Sequence, residues 1–337
     1  MSENTMLHPE SPVTGQTRMD SAWGSQTGDE DVHAKVTQAS VDAGQIFEQE
    51  YKPWNGTLNP RWMRNWAILR HHLLGIVFKG HRPWGVVTRI VLLLIFLGSL
   101  SSAAMVLLSG VVGDSTLASM WGINRENMYG HVLGFFPRNI IFYPIIAAIL
   151  VGGMISEDRS NGTSALYFSR PISRVDYTSM KFLSIAIILF FVIDGTLAVY
   201  YFAEVLVMGR GWSWILDTFP MFLLAAFSGL LLAITYTSIG LALSSLSKGR
   251  FFPGIGLLAV IMGTKTLAAI IEALFDKTIL YVISPFDCIA HIAQSLMSIE
   301  STYQHPWTWS LASIVCINIG ALYILTARVS TLEVTRE

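Results

Sequence analysis

Few side chains in this sequence have the type and spacing to do chemistry, and they fall into two groups. The first is the acidic-basic step Glu157-Asp158-Arg159, followed by Gly162, Thr163, Arg170, Pro171, Arg174 and Lys181, in an otherwise apolar part of the chain. The second is a pair of ionisable residues inside apolar stretches, Asp194 and Lys265. Each lies about 13 residues, or ~20 Å of helix, into its stretch from the same side. An unpaired charge at such depth in lipid is costly, so the two are expected to face the bundle and pair with each other. Such a pair serves equally as a gate or substrate contact or as a device fixing helix register.

Other chemistries find little support. There is no G-x-x-x-x-G-K-[ST] stretch to cradle a nucleotide phosphate, so the chain cannot hold ATP in that manner. No H-E-x-x-H helix and no Cys/His motif marks a zinc site, and no cofactor or metal is expected in this chain. His71 and His72 are adjacent, so their rings diverge on a helix. The two cysteines, Cys288 and Cys316, have no motif spacing. Ser228 is a poor candidate for an intramembrane nucleophile, because the histidines beyond it, His291 and His305, fall in a loop. A lone buried serine usually bonds its own helix. Nucleic-acid binding has no basic face to support it.

The elements that would position these residues follow from composition. Hydrophobic residues make up 52% of the chain and charged ones 13%, which indicates a multi-span membrane protein rather than soluble domains. Residues 1–58 are polar and acidic, and are expected to form a disordered cytoplasmic tail. Residues 59–85 hold a basic amphipathic segment with Trp62, Trp66, Leu69 and Leu73 at helical spacing, expected to lie in the membrane interface. Residues 86–337 hold six expected spans, at 86–108, 139–155, 182–208, 219–246, Phe252–Phe275 and 309–327. The fold class expected is therefore an all-α polytopic membrane protein.

Basic residues cluster before the first span, between the second and third, between the fourth and fifth, and at the end. That bias places both termini and the 156–180 connector in the cytoplasm. It places the 276–307 loop outside, where the run Leu280–Ile283 followed by Ser284-Pro285-Phe286-Asp287 suggests a re-entrant or interfacial helix pair. The connector reads as helix, turn, short helix, turn, helix. Gly162 supplies the turn, Pro171 stops the short helix, and Ser173 with Asp176 starts the next one.

The connector run, from Glu157 through Gly162-Thr163 and Ser169-Arg170-Pro171-Ile172-Ser173-Arg174 to Tyr177 and Lys181, resembles a motif of the membrane subunit of ABC-2 type exporters. Tyr167-Phe168 departs from it where aliphatic residues are more usual. The resemblance implies that the loop touches a separate ABC ATPase subunit, which would carry ATP and Mg. It implies a dimer or pseudo-dimer of permeases in the plasma (inner) membrane and an ATP-driven export path. A non-transport membrane scaffold or an intramembrane enzyme of the same topology is the competing expectation. Neither composition nor motif selects a substrate.

Overall fold

The computed structural model describes residues 60–77, 83–113, 120–133, 141–168 and 172–334. The expected tail, Arg170 and Pro171 lie outside these. Among the described residues the chain is helical throughout, with no strand. Among the described residues, four helices are long and apolar enough to cross a membrane: Arg174–Val207, Trp212–Leu246, Phe252–Phe275 and Trp307–Ser330. Large apolar side chains stay exposed along all four, among them Phe191, Leu223, Ile255 and Ile319. Such a surface suits lipid rather than water.

In chain order the helices are α1 (Arg61–Val77), α2 (Pro83–Val112), α3 (Arg125–Val132), α4 (Phe142–Val151), α5 (Ser156–Ser160) and α6 (Thr163–Phe168). They continue as α7 (Arg174–Val207), α8 (Trp212–Leu246), α9 (Phe252–Phe275), α10 (Pro285–Leu296) and α11 (Trp307–Val334). A 3₁₀ turn, Ile279–Ile283, precedes α10. Helix α8 is the central element, packing against α7, α9, α10 and α11. Its inner face carries Leu232, Ala233, Tyr236 and Leu241, all fully buried.

Two features differ from expectation. The stretch expected to form the second span holds a helix of only 10 residues, Phe142–Val151. That is ~15 Å, half of a ~30 Å hydrocarbon core. The cause is Gly152-Gly153: Gly153 takes φ 81°, a left-handed conformation that ends the helix. The second difference concerns α1. Its stripe of Arg61, Asn65, Ile68 and His72 faces the bundle, while Trp62 and Trp66 are exposed on the adjacent stripe. The segment expected to lie only in the membrane interface is thus docked on the first turn of α7 through its polar side. Arg61 grips Asp176 through Nε (3.0 Å to both carboxylate oxygens) and Nη2 (2.8 Å), and Asn65 adds a bond of 2.9 Å. Burial of His72 against α7, with the Lys181 charge as a second cause, lowers its pKa to about 4.

Helix α4 approaches the start of α9 closely. A Cβ at Gly254 would lie 2.7 Å from the backbone oxygen of Ala148, too near for any side chain. Gly254→Ala is therefore expected to force the helices apart and cost about 1–3 kcal/mol. Gly263→Ala, at a position with nothing within 4 Å, is the matched control. Thermal unfolding in detergent checks this: equal midpoints for the two variants would contradict the close packing.

Candidate functional site

The connector between α4 and α7 is built from its base outward. At the end of α8, the Ser244 hydroxyl accepts from the backbone N–H groups of Ile155 (3.0 Å) and Ser156 (3.3 Å). It thereby supplies partners to orphan donors at the start of α5. The acidic step then splits. Glu157 pairs with Arg250, at the start of α9, at 2.9 Å. Asp158 turns the other way, accepting from the Tyr177 hydroxyl (2.8 Å) and from the Lys181 ammonium. Thr163 Oγ1 closes the turn by donating to the Asp158 backbone and side-chain oxygens, each at 3.2 Å.

Lys181 is 1% exposed. Its ammonium also donates to the Met154 carbonyl and lies 5.0 Å from the Tyr177 ring centroid. A buried ammonium needs this many partners to offset its lost hydration. Tyr167 packs against Tyr177 with the rings tilted at 58° and their centroids 5.2 Å apart. Tyr167, where aliphatic residues are more usual, thus places an aromatic ring 6.0 Å from the lysine ammonium.

Gly162, at φ 69°, makes the expected turn before α6. Ser173 caps α7 as its spacing suggests: Ser173 Oγ accepts from the Asp176 N–H (3.1 Å) and donates to the Asp176 carboxylate (2.7 Å). That carboxylate is the one held by Arg61, so α1 is fastened to the first turn of α7. Arg174 is exposed beside it. Arg170 and Pro171 lie outside the described residues. Ser244 and Arg250 belong to the site but carried no signal for it in the sequence, because their partners are distant in the chain; Asp158 and Tyr177 lay in the run singled out, but their pairing with each other and with Lys181 was not legible there.

The expected Asp194–Lys265 pair does not form. Lys265 instead pairs with Asp287 at 3.1 Å and sits 4.4 Å from the Phe286 ring centroid. The reason is that α8 stands between them, in contact with both α7 and α9. Asp194 lies against Gly229 of α8, where an added Cβ would come within 2.4 Å of its oxygen. Both Asp194 oxygens are buried without a hydrogen-bond partner among the described residues. Ser228 donates to the Leu224 carbonyl of its own helix at 2.9 Å.

Lys265 lies about ten residues, or ~15 Å, before the end of α9. Asp287, at the start of α10, meets it there, so the 3₁₀ turn and α10 fold back along α9. The Asp287 carboxylate also accepts from the hydroxyls of Tyr303 (3.0 Å) and Ser284 (2.6 Å). Residues Pro285 to Gln294 are all buried.

Residues 66–330 match the model of a family described as ABC-2 family transporter protein. No curated protein matches the chain.

Replacing Lys181 with Met removes the charge that Asp158 answers. With Asp158 still bonded to Tyr177 and Thr163 and partly exposed, the expected loss is about 2–3 kcal/mol. Adding Asp158→Asn should recover part of it. Unfolding midpoints of the single and double variants measure the coupling, and strictly additive losses would refute a direct interaction.

Proposed function

Since the chain belongs to the ABC-2 transporter family, a membrane permease component of an ABC transporter, we propose that it forms the transmembrane pathway for ATP-driven export. ATP and Mg are bound and hydrolysed by a separate ATPase subunit. That subunit docks on the 156–180 loop, with Arg170 and Arg174 as its charged anchors and Glu157 as the link at the membrane exit. Two permease copies assemble around the path in the plasma (inner) membrane, with both termini cytoplasmic. Helix α2 and the segment around α4 complete a six-crossing layout with the four long helices, and α1 lies in the interface with Trp62 and Trp66 toward lipid.

The observation that carries this reading is how the loop is held. Helices α5 and α6 are too short to be stable alone. They are anchored from below by Asp158–Lys181, Glu157–Arg250 and the Ser244 cap. A push on α5 or α6 therefore reaches α7, α8 and α9 through charge pairs and hydrogen bonds rather than through slack chain. That is what transmission of ATPase closure to the membrane helices requires, and it needs two discrete arrangements of a packed element.

The test is affinity purification of the full chain in mild detergent, co-expressed with ABC ATPases encoded beside it. The wild type should bring down an ATPase and stimulate its ATP hydrolysis. Glu157→Ala, Arg170→Ala and Arg174→Ala combined should weaken that association about tenfold or more while the protein stays monodisperse. If the variant retains full association, the loop is not the docking surface. If no ATPase associates with the wild type, the permease reading fails.

A further inference from the structure

One ionisable side chain in the bundle is accounted for neither by the loop nor by the charge pairs. Asp194 lies 13 residues, or ~20 Å of helix, from Lys181 in one direction and from the α7 end at Val207 in the other. It is 6% exposed, and neither of its carboxyl oxygens has a hydrogen-bond partner among the described residues. The donors around it are turned elsewhere. Thr196 Oγ1 donates to the Ile193 carbonyl (2.9 Å), the Tyr143 hydroxyl of α4 to the His131 carbonyl (3.2 Å), and Ser228 Oγ of α8 to the Leu224 carbonyl (2.9 Å). The ionisable groups facing this part of α7 are Tyr143 and, on α3, His131, whose Nε2 stands 3.1 Å from Thr196 Oγ1. The charged residues of the other helices packed on α7 lie toward the bundle ends: the basic residues of α1, Arg89 of α2, Asp217 of α8 and Arg328 of α11.

An ionised carboxylate draws the donors within its reach, and here none turns to it. Without donors, halfway through the hydrocarbon, it costs far more than a neutral acid with one unmade hydrogen bond. On the α8 side the carboxyl lies against Gly229, where any Cβ would overlap it. The two helices meet at this point with no room for an ion or a water. The ligand that fits is a proton. Beyond Asp194, α7 is polar in one direction only. Thr196, Tyr200 and Glu204 recur every fourth residue toward Val207, all buried, and the His131 ring stacks on Tyr200 with centroids 5.4 Å apart. Between Lys181 and Asp194 the helix holds no ionisable residue.

We propose that Asp194 is a proton-binding site whose occupancy is coupled to the packing of α7 on α8. The carboxyl carries its proton while the helices meet at Gly229. When they part, water reaches the group, the carboxyl O–H bond breaks, the proton leaves to that water and a carboxylate remains. The polar line from Thr196 to Glu204 leads it toward the Val207 end. Protons thus favour the packed arrangement. An aspartate in water is ionised at neutral pH, so the parted or unfolded chain binds one proton fewer. Stability of the packed state is therefore lost as pH rises above the range of a free aspartate, up to the pH at which the buried acid itself ionises. The inference rests on the chain spanning a membrane and not on whether the α5–α6 loop docks an ATPase.

The experiment records infrared spectra of the full chain in mild detergent beside D194N, whose amide is neutral and of similar size. The wild type minus D194N should show the carbonyl stretch of an undissociated carboxylic acid at neutral pH, and alkali should abolish it. The thermal unfolding midpoint should fall from neutral to alkaline pH more steeply in the wild type than in D194N. G229A, which props the helices apart at this point, should shift the loss of the band to lower pH. Should D194N not fold, D194S gives the same comparison with a smaller side chain. Absence of the acid band from the wild type at neutral pH overturns the proposal, as does a band that persists without Asp194 or an equal pH dependence of the two midpoints. An unshifted band titration in folded G229A overturns the coupling to packing.

Discussion

A fully buried ammonium on α7 is the constraint on which the loop end of this molecule depends. Lys181 cannot return to water without α7 moving, and it cannot stay charged inside the protein without acceptors. The chain supplies these from the segment that interrupts α4, as the Met154 carbonyl and the Asp158 carboxylate. The break at Gly152-Gly153 is thus more than a failure of the helix to continue. It delivers a backbone oxygen and an acid to a lysine that would otherwise be too costly to bury. The same fold-back directs Glu157 toward Arg250 and so joins the loop to α9.

Among the described residues the bundle places its charge pairs toward its two ends. At one end Arg61, Asp176, Asp158, Lys181, Glu157 and Arg250 link α1, α5, α7 and α9. Toward the other, Lys265, Asp287 and Tyr303 hold the returning 3₁₀ turn and α10, and Arg210 pairs with buried Glu204 at 2.9 Å near the end of α7. Between these lies Asp194, shut in by Gly229 and lacking a donor among the described residues. Charge pairs contribute little net stability in such settings, but each fixes which helix faces which. Besides the bonds of Asn318 on α11 to Thr235 and Ser238 on α8, the long helices meet through apolar and small-residue contacts.

Much of the loop was legible because its signals are local. A left-handed glycine at Gly162 and a Ser173–Asp176 cap operate over three or four residues, and each formed as spacing suggested. The same holds for Ser228, whose back-bond to its own helix is a short-range matter. Pairings across the bundle were not legible. Equal depth brought Asp194 and Lys265 together on paper, but depth gives no azimuth, and α8 occupies the space between their helices. The partner of Lys265 came from the 276–307 loop, whose Ser284-Pro285-Phe286-Asp287 step suggests a re-entrant or interfacial helix but not which charge it meets.

Composition and hydrophobic run length by themselves determined that this is a helical membrane chain, since a backbone in lipid must satisfy its own hydrogen bonds and helices do so within one segment. They also located the polar connector, because charges gathered between apolar runs have to leave the hydrocarbon. Tertiary structure alone decided which acid meets Lys181, which acid meets Lys265, that Asp194 has no hydrogen-bond partner among the described residues, and that α4 stops after 10 residues. The physical reason is common to all four. Periodicity fixes what each helix can present, whereas partner choice depends on the rotation and order of the helices, and these are set by close contacts such as Gly254 on Ala148 and Gly229 on Asp194.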